Sequence, residues 1–362
     1  MKNLRISNRR ISKLLTLILL VTIILQAFIL QACESTFSGT FIEVPESKFE
    51  LIAELPSFDS PLPITCYGSW QFVKLKGNRE GIAFIREVHG PLGGPCFLLG
   101  FYDIEKKAIV KDSFLSTSEE LMYHPPVILV DNENKLYISL KDIIIVCDVE
   151  LNILNILEPD LENYDLDYLT MSFIKDGKIF FLQDGKIFSI DINTGKIVDY
   201  INIDKEKYPE LENLGTISIA DYKDSSILIY YGDFPNGKEN RKVILIYDID
   251  ENSVKNKFIF SGEHYLISGE IGKPYGFISC YPYIFIMLSN NSNINLFAYN
   301  IETKNEVILQ FGKKFSVYSS SIDKIITRGT DITCYIWEHY SLDDDGVIKD
   351  AVYSLDLTEY LK

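Results

Sequence analysis

The chain has 362 residues, a formal net charge of −16 at pH 7 and a sequence pI of 4.8. A surface this acidic repels phosphate backbones and anionic headgroups, so nucleic acid is not an expected partner. The acids are scattered along the chain, and only Asp343, Asp344 and Asp345 form a run.

Residues 1–32 have the pattern of a signal peptide. An apolar run from Leu14 to Leu30 follows a basic segment that contains Lys2, Arg5, Arg9, Arg10 and Lys13. The run ends in Leu30-Gln31-Ala32-Cys33, which resembles the lipobox of bacterial lipoproteins. This resemblance implies that Cys33 is lipidated and anchors the protein to a membrane of the bacterial cell envelope, facing the periplasm. The alternative is an uncleaved membrane anchor, because the apolar run approaches the length of a spanning helix.

Residues 33–48 are predicted to form a tether, since Glu34–Thr40 shows no apolar pattern to bury. Phe49–Leu55 then reads as a single strand that belongs to no repeat of its own. The globular part of the chain is therefore expected to span 49–362.

A short motif recurs six times along that part: an aliphatic, Tyr or Cys residue, then Asp or Asn, then an aliphatic residue. Its central positions are spaced by 45, 43, 57, 52 and 56 residues and are Asp103, Asp148, Asp191, Asp248, Asn300 and Asp356. A period of this length in a strand-rich chain indicates propeller blades. The segment Asp248-x-Asp250-x-Asn252 imitates the opening of a calcium loop but lacks the loop glycine, so a strand-end turn is favoured there.

Each motif closes the third apolar run of a four-strand unit. In the third unit these runs are Leu169–Ile174, Lys178–Leu182, Ile187–Ile192 and Ile197–Ile203, joined by Asp-Gly and Asn-x-Gly turns. The sixth unit has only Val317–Ser321, Ile332–Trp337 and Ala351–Leu357.

Phe49–Leu55 is predicted to supply the strand that the sixth unit lacks, because such pairing removes both free edges of an open ring. The sequence therefore predicts an all-β, six-bladed β-propeller closed by its N-terminal strand. A two-sheet β-sandwich is the competing architecture.

Five cysteines follow Cys33. Cys147 and Cys334 lie in apolar strand patterns and are expected to be buried thiols. Cys66 and Cys96 lie near loops of the same unit, where a disulfide is compatible with an oxidising compartment. No pair shows the spacing of a zinc site, and no metal or other cofactor is expected.

The connections between second and third strands are longest in units four, five, six and one, which are consecutive around a closed ring. Long loops on a rigid scaffold often carry binding residues. The candidate binding-face residues lie on this arc or at the end of the channel where the first strands begin. They are His89, Phe234, Trp337, Glu338, His339, Tyr340, Tyr67, Trp70 and Tyr275. The histidines fit a cation site or, more simply, a solvated surface. The aromatic residues fit stacking on a sugar or peptide ring, although filling of the channel is favoured.

Catalytic signatures are not found: the sequence has no G-x-S-x-G, H-E-x-x-H, P-loop or dinucleotide fingerprint. The lipobox, the short tether and the six blade units together resemble the bacterial TolB-like propeller lipoproteins. That resemblance implies a non-catalytic binding or scaffold propeller for a protein, peptide or glycan. The alternative is a hydrolase or lactonase with a divalent metal in the channel.

Overall fold

The computed structural model describes residues 40–55, 69–89, 95–115, 126–161, 171–183, 185–212, 214–233, 242–260, 277–290, 293–312, 314–315, 320–342 and 348–361. Chain contacts divide the protein into two units, 1–40 and 41–362, and the fold described below is that of the second unit. Within the described ranges, no helix has the length and apolarity required to cross a bilayer.

Six antiparallel sheets form the six blades. Blade one contains β3 (Ser69–Leu75), β4 (Arg79–His89), β5 (Pro95–Asp103) and β6 (Ala108–Leu115). Blade two contains β7 (Ile128–Val130), β8 (Leu136–Leu140), β9 (Ile143–Cys147) and β10 (Ile153–Leu157). Blade three contains β11 (Met171–Lys175), β12 (Lys178–Gln183), β13 (Lys186–Asp191) and β14 (Ile197–Ile201). The first strand of each blade contacts the first strand of the next blade, so these strands surround the channel.

Blades four to six complete the ring. Blade four contains β15 (Leu214–Asp221), β16 (Ser226–Asp233), β17 (Lys242–Asp248) and β18 (Ser253–Phe260). Blade five contains β19 (Phe277–Cys280), β20 (Tyr283–Asn290), β21 (Asn293–Asn300) and β22 (Glu306–Gln310). Blade six contains β23 (Ser320–Arg328), β24 (Asp331–Leu342) and β25 (Ile348–Asp356). Two short 3-10 helices, Glu46–Lys48 and Pro209–Leu211, lie outside the sheets. The predicted six-bladed β-propeller is confirmed by this sheet order.

The ring is closed by the N-terminal strand, as predicted. β2 (Glu50–Leu55) pairs antiparallel with β25, with Leu55 opposite Asp350 and Ala53 opposite Val352. Ala53 and Leu55 are buried on either side of the exposed Glu54, whereas Leu51, beyond an irregularity in the pairing, is 47% exposed. This alternation places one side of β2 in the seam between blades six and one, where its apolar side chains leave water.

The predicted tether is shorter than 33–48 because part of it is a strand. β1 (Thr40–Glu43) lies beside β22 as a fifth strand of blade five, and the Val44 backbone N–H donates to the Gln310 carbonyl at 2.9 Å. Val44 is buried in the core between blades five and six, and Ile42 packs against that core. The apolar residues Phe41, Ile42 and Val44 are therefore part of the propeller.

The recurring Asp or Asn has the same structural role in every blade. Its side-chain oxygen accepts backbone N–H groups from the turn that follows the third strand, an arrangement that Asp and Asn favour. The bonds join Asp103 to Lys106 (3.1 Å), Asp148 to Glu150 (2.9 Å), Asp191 to Thr194 (2.8 Å), Asp248 to Glu251 (2.9 Å), Asn300 to Glu302 (2.9 Å) and Asp356 to Thr358 (2.8 Å). The motif is thus a turn signature, and the strand-end interpretation of the segment at Asp248 is confirmed.

Apolar clusters fill the seams between neighbouring blades. Cys147 and Cys334 are buried, as predicted, and Cys280 is buried as well. Burial raises the pKa of the Cys147 thiol to about 11, which keeps it protonated and unreactive at neutral pH. Cys66 lies outside the described residues, as does the side chain of Cys96, and their disulfide stays a prediction.

The predicted long loop of blade six is partly strand, because β24 extends to Leu342 and β25 begins at Ile348. In blade one, β4 ends at His89 and β5 begins at Pro95. The first strand of blade six was predicted too early in the sequence: Val317–Ser321 was expected, and the strand runs from Ser320 to Arg328. This displacement brings Lys324 and Arg328 onto a strand that lines the channel.

Candidate functional site at the channel mouth

Two adjoining cavities lie where the first strands of blades one, two, five and six approach one another. The larger has a volume of about 410 Å³ and the smaller about 210 Å³, and both are lined by Phe72, Val130 and Asp131. Val130 ends β7 and Arg328 ends β23, so the cavities are at the face of the ring that carries the short turns between first and second strands. We call this pair of cavities the channel mouth.

The wall of the larger cavity is apolar and carries one ammonium group. Ile278, Ile325 and Ile326 line it together with Lys324. The Lys324 Nζ donates to the Gln71 Oε1 at 2.6 Å, and the Gln71 Nε2 donates to the Ile128 carbonyl at 3.0 Å. This chain of hydrogen bonds joins blades six, one and two and fixes a positive charge beside an apolar surface.

The smaller cavity has a rim of exposed charges. Glu80 is shared by two cations, with its Oε1 3.1 Å from the Lys74 Nζ and 3.5 Å from the Arg328 Nη2. All three side chains are about half exposed or more, and exposed pairs of this kind contribute roughly 1 kcal/mol or less. Both cations are thus available to exchange a weak partner for an anionic ligand.

The backbone beneath this rim is held rigidly. The Asn134 side chain accepts from the Lys74 N–H and donates to the Lys74 carbonyl, both at 2.8 Å, and so clamps blade two to blade one. Asp131 accepts the Tyr137 hydroxyl at 3.0 Å. Burial, reinforced by the Asp131 charge, raises the pKa of Tyr137 far above its usual range. Asp131 is therefore oriented by its own turn and blade.

The balance of charge at the channel mouth differs from that of the chain. Lys74, Lys324 and Arg328 outnumber Glu80 and Asp131, in a protein whose formal net charge is −16. The lining thus carries a small excess of positive charge, which raises the local concentration of anionic ligands. The geometry favours a ligand that combines an apolar part with a carboxylate or another anion.

Two of the predicted binding residues are interior instead. Trp70 and Trp337 are each 3% exposed, and their ring centroids are 5.4 Å apart in the seam between blades one and six. Phe72 and Tyr335 pack edge-to-face beside them at 4.7 Å. The prediction of a binding face is wrong for these two tryptophans, because the wedge-shaped seam needs large rings to fill it.

Glu338 is half-buried in a polar and aromatic group on the opposite face. Burial raises the pKa of its carboxyl group, and the Tyr353 hydroxyl donates a hydrogen bond to it. Burial and the neighbouring Glu338 raise the pKa of Tyr353 to about 12. The Lys314 Nζ lies 4.5 Å from the centroid of the Tyr353 ring, which stabilises the ammonium by a cation–π contact.

The remaining candidates are untested. His89 ends β4, and His339 and Tyr340 lie in β24, but their side chains are outside the described part of the structure. Tyr67, Phe234, Tyr275 and Cys33 fall outside the described residues altogether. For these positions, a binding role on the arc of long loops stays a prediction.

Sequence reasoning missed the channel mouth. The stretch from Ile322 to Arg328 contains three isoleucines but does not alternate, because Asp323 and Lys324 are adjacent, so the sequence carried little signal for an inner strand there. The nearby Val317–Ser321 run was chosen in its place.

Comparisons with known proteins show only distant similarity. No family model matches the chain, and no curated protein matches it. Among solved structures, the AfRom2 CNH domain is 13% identical with a TM-score of 0.44, covering 85% of this chain and 99% of that one. The Dos1 propeller is 13% identical with a TM-score of 0.40, covering 80% of this chain and 71% of that one. Similarity of this degree carries no argument about function, and the resemblance to TolB-like lipoproteins stays a prediction.

Proposed function

We propose that this protein is an envelope-anchored lipoprotein whose propeller binds a ligand at the channel mouth. The anchor is supported by the lipobox-like segment ending at Cys33 and by the basic and apolar segments before it. The observation that carries the binding role is the channel mouth itself, an apolar cavity bordered by Lys74, Lys324 and Arg328.

The ligand class follows from the lining of the two cavities. Phe72, Ile278 and Ile325 offer an apolar surface, and the cations around it attract negative charge. A peptide, protein segment or glycan that bears a carboxylate satisfies both parts. Such a ligand displaces the weak contacts of Glu80 with Lys74 and Arg328 and replaces them with its own.

The metal-dependent hydrolase has no observation in its favour. Across the ranges that the structure describes, no three His, Cys, Asp or Glu side chains come together in a group that would hold a metal ion.

The binding role is tested with arrays of peptides and glycans that carry carboxylates, each placed beside its neutral counterpart. We expect the purified protein to retain the carboxylated members preferentially and to lose them as salt rises. Arg328→Glu reverses the charge of an exposed rim residue and should weaken binding about tenfold or more, which corresponds to roughly 1.4 kcal/mol.

The matched control is Lys106→Glu, which makes the same reversal at an exposed turn of blade one outside the two cavities. It should leave binding within about twofold. Equal retention of carboxylated and neutral members, or equal binding by the Arg328 variant, would refute the proposed site.

The anchor is tested separately. Cys33→Ser should prevent lipidation and move the protein from the membrane fraction to the soluble fraction, because acyl chains supply the membrane affinity. Ser35→Ala is the control and should remain in the membrane fraction. An unchanged distribution of the Cys33 variant would remove the lipoprotein from the proposal without affecting the channel mouth.

A further inference from the structure

The outer strand of blade two is unusually apolar and unusually accessible. β10 is the edge strand of its sheet, with the sequence Ile-Leu-Asn-Ile-Leu. Ile153, Leu154 and Ile156 are 62%, 52% and 46% exposed. Three large aliphatic side chains within four residues form a continuous apolar patch beside a free sheet edge. We call this patch the β10 edge.

The other outer strands of the ring are protected in the ways that natural sheets use. Edge strands commonly carry charges or are covered, which prevents pairing with other chains. Charges occur on four of the outer strands, as Lys111 and Asp112 on β6, Asp199 on β14, Lys255 and Lys257 on β18, and Glu50 and Glu54 on β2. The fifth, β22, carries Glu306 and is covered by β1. Of the six outer strands, β10 is the one that carries no charge and that no strand among the described residues covers.

The fold already accepts a fifth strand on a blade. β1 adds to β22 with four residues, and Val44 at its end is buried against the core. An extended segment added to β10 would use the same geometry, with backbone hydrogen bonds along the edge and side chains on the exposed aliphatic residues. The β10 edge therefore has the geometry that strand addition requires.

The charges around β10 identify the kind of segment that fits. Glu150 precedes the strand with its side chain 56% exposed, and Glu158 follows it at the surface. Lys111 of blade one donates to the Glu150 backbone carbonyl and lies 3.7 Å from the Glu150 carboxylate, so this carboxylate already has one weak cationic partner. Carboxylates at both ends of the edge attract an extended segment that carries Lys or Arg at its ends.

A second copy of this chain is a poorer occupant. Antiparallel pairing of two β10 strands about Asn155 would place Glu150 of one copy opposite Asp160 of the other. Both residues lie outside β10, so their repulsion would act at the ends of the strand pair. We therefore propose that the β10 edge binds an extended, cationic segment of a partner protein by adding it as a fifth strand to blade two.

The test uses a random library of short peptides selected against the purified protein. The selected peptides should be rich in Val, Ile or Thr with Lys or Arg at their ends. On binding, the backbone amides of β10 that point away from β9 should gain protection from hydrogen exchange, because the new strand accepts their N–H groups. The Ile156 N–H, which donates to the Asn155 Oδ1 at 2.9 Å, must exchange that partner for the new strand. Failure of the selection to enrich such peptides would overturn the proposal.

Variants locate the site. Leu154→Lys places a charge on the edge and Ile156→Ser removes an aliphatic contact, and each should weaken peptide binding about tenfold or more. Both side chains are exposed, so the circular dichroism of the variants should match that of the parent protein.

Val198→Lys on β14 is the control, since Val198 is 49% exposed on an outer strand that already carries Asp199. It should leave affinity unchanged. Peptides that bind the Leu154 variant as well as the parent would overturn the proposal. Self-association in ultracentrifugation that Leu154→Lys abolishes, without peptide binding, would overturn it in favour of a second copy.

Discussion

Replacing Leu55 with alanine tests whether β2 closes the ring. Leu55 is fully buried in the cluster that joins blade six to blade one. Removal of a buried leucine side chain costs about 2–5 kcal/mol, which combines lost transfer free energy with the cavity left behind. We expect Leu55→Ala to lower the free energy of unfolding of the whole propeller by an amount in that range.

The matched control lies on the same strand. Leu51 is 47% exposed, so Leu51→Ala should change the free energy of unfolding by roughly 0.5 kcal/mol or less. Both variants keep the backbone pairing of β2 with β25, and the comparison isolates the side chain that enters the seam.

The chain provides its own reporter for the measurement. It contains two tryptophans, Trp70 and Trp337, and both lie in this seam. Tryptophan fluorescence therefore follows the junction of blades six and one, while far-ultraviolet circular dichroism follows all six blades. In a denaturant titration the two signals should give one midpoint, shifted together by Leu55→Ala.

Two results would contradict this reasoning. Equal midpoints for the Leu55 and Leu51 variants would show that the seam contributes nothing to stability. A fluorescence transition at lower denaturant than the circular dichroism transition would show that the ring opens at this seam before the blades unfold.

Two further predictions concern the turns and the inner packing. Asp191→Ala should lower stability at pH 7 by about 1 kcal/mol, while Asp191→Asn should keep the turn, as Asn300 does natively. Hydrogen bonds from the turn, above all that of the Thr194 N–H, hold the pKa of Asp191 below its ordinary value, so its contribution is lost as pH falls through the pKa of the folded state. Acid titration of stability should show a shallower loss in both variants, and an unchanged acid limb would contradict this assignment. Gly100→Ala should cost about 1–3 kcal/mol in thermal melts, because the added Cβ would lie 2.3 Å from the Phe84 ring, and an unchanged melt would show that the ring can move aside.

The blade strands and the closing strand were predictable because each is determined by residues that are close together in the sequence. Asp and Asn at the strand ends marked each turn, and β2 had a pronounced apolar pattern with no sheet of its own. Each of these signals is contained within a few residues. The number of blades can therefore be predicted by counting these local patterns along the sequence.

The missed elements have physical reasons. β1 has four residues, too few for alternation to stand out from the surrounding loop. β23 carries Lys324 at a position that lines the channel, and this charge interrupted the apolar run that an inner strand usually shows. A channel that holds polar groups hides its own lining strands from pattern analysis.

The site was beyond sequence reasoning for a different reason. Gln71, Asp131 and Lys324 come from three blades, and closure of the ring brings them together. Two of the chosen aromatic residues, Trp70 and Trp337, were drawn from the correct region but fill the seam beside the cavity. The order of blades predicted which strands would meet, but it did not show which of their side chains would be exposed.

The order of β1 and β2 also determines how the propeller would respond to a pulling force. A load applied at the N-terminal side of Thr40 reaches the contact of β1 with blade five before it reaches the closing strand in blade six. β1 can therefore detach from blade five first and release a short length of chain while the ring remains closed. If the protein is anchored through Cys33, as proposed, detachment of β1 would relieve a force on the tether before that force reached the closing strand.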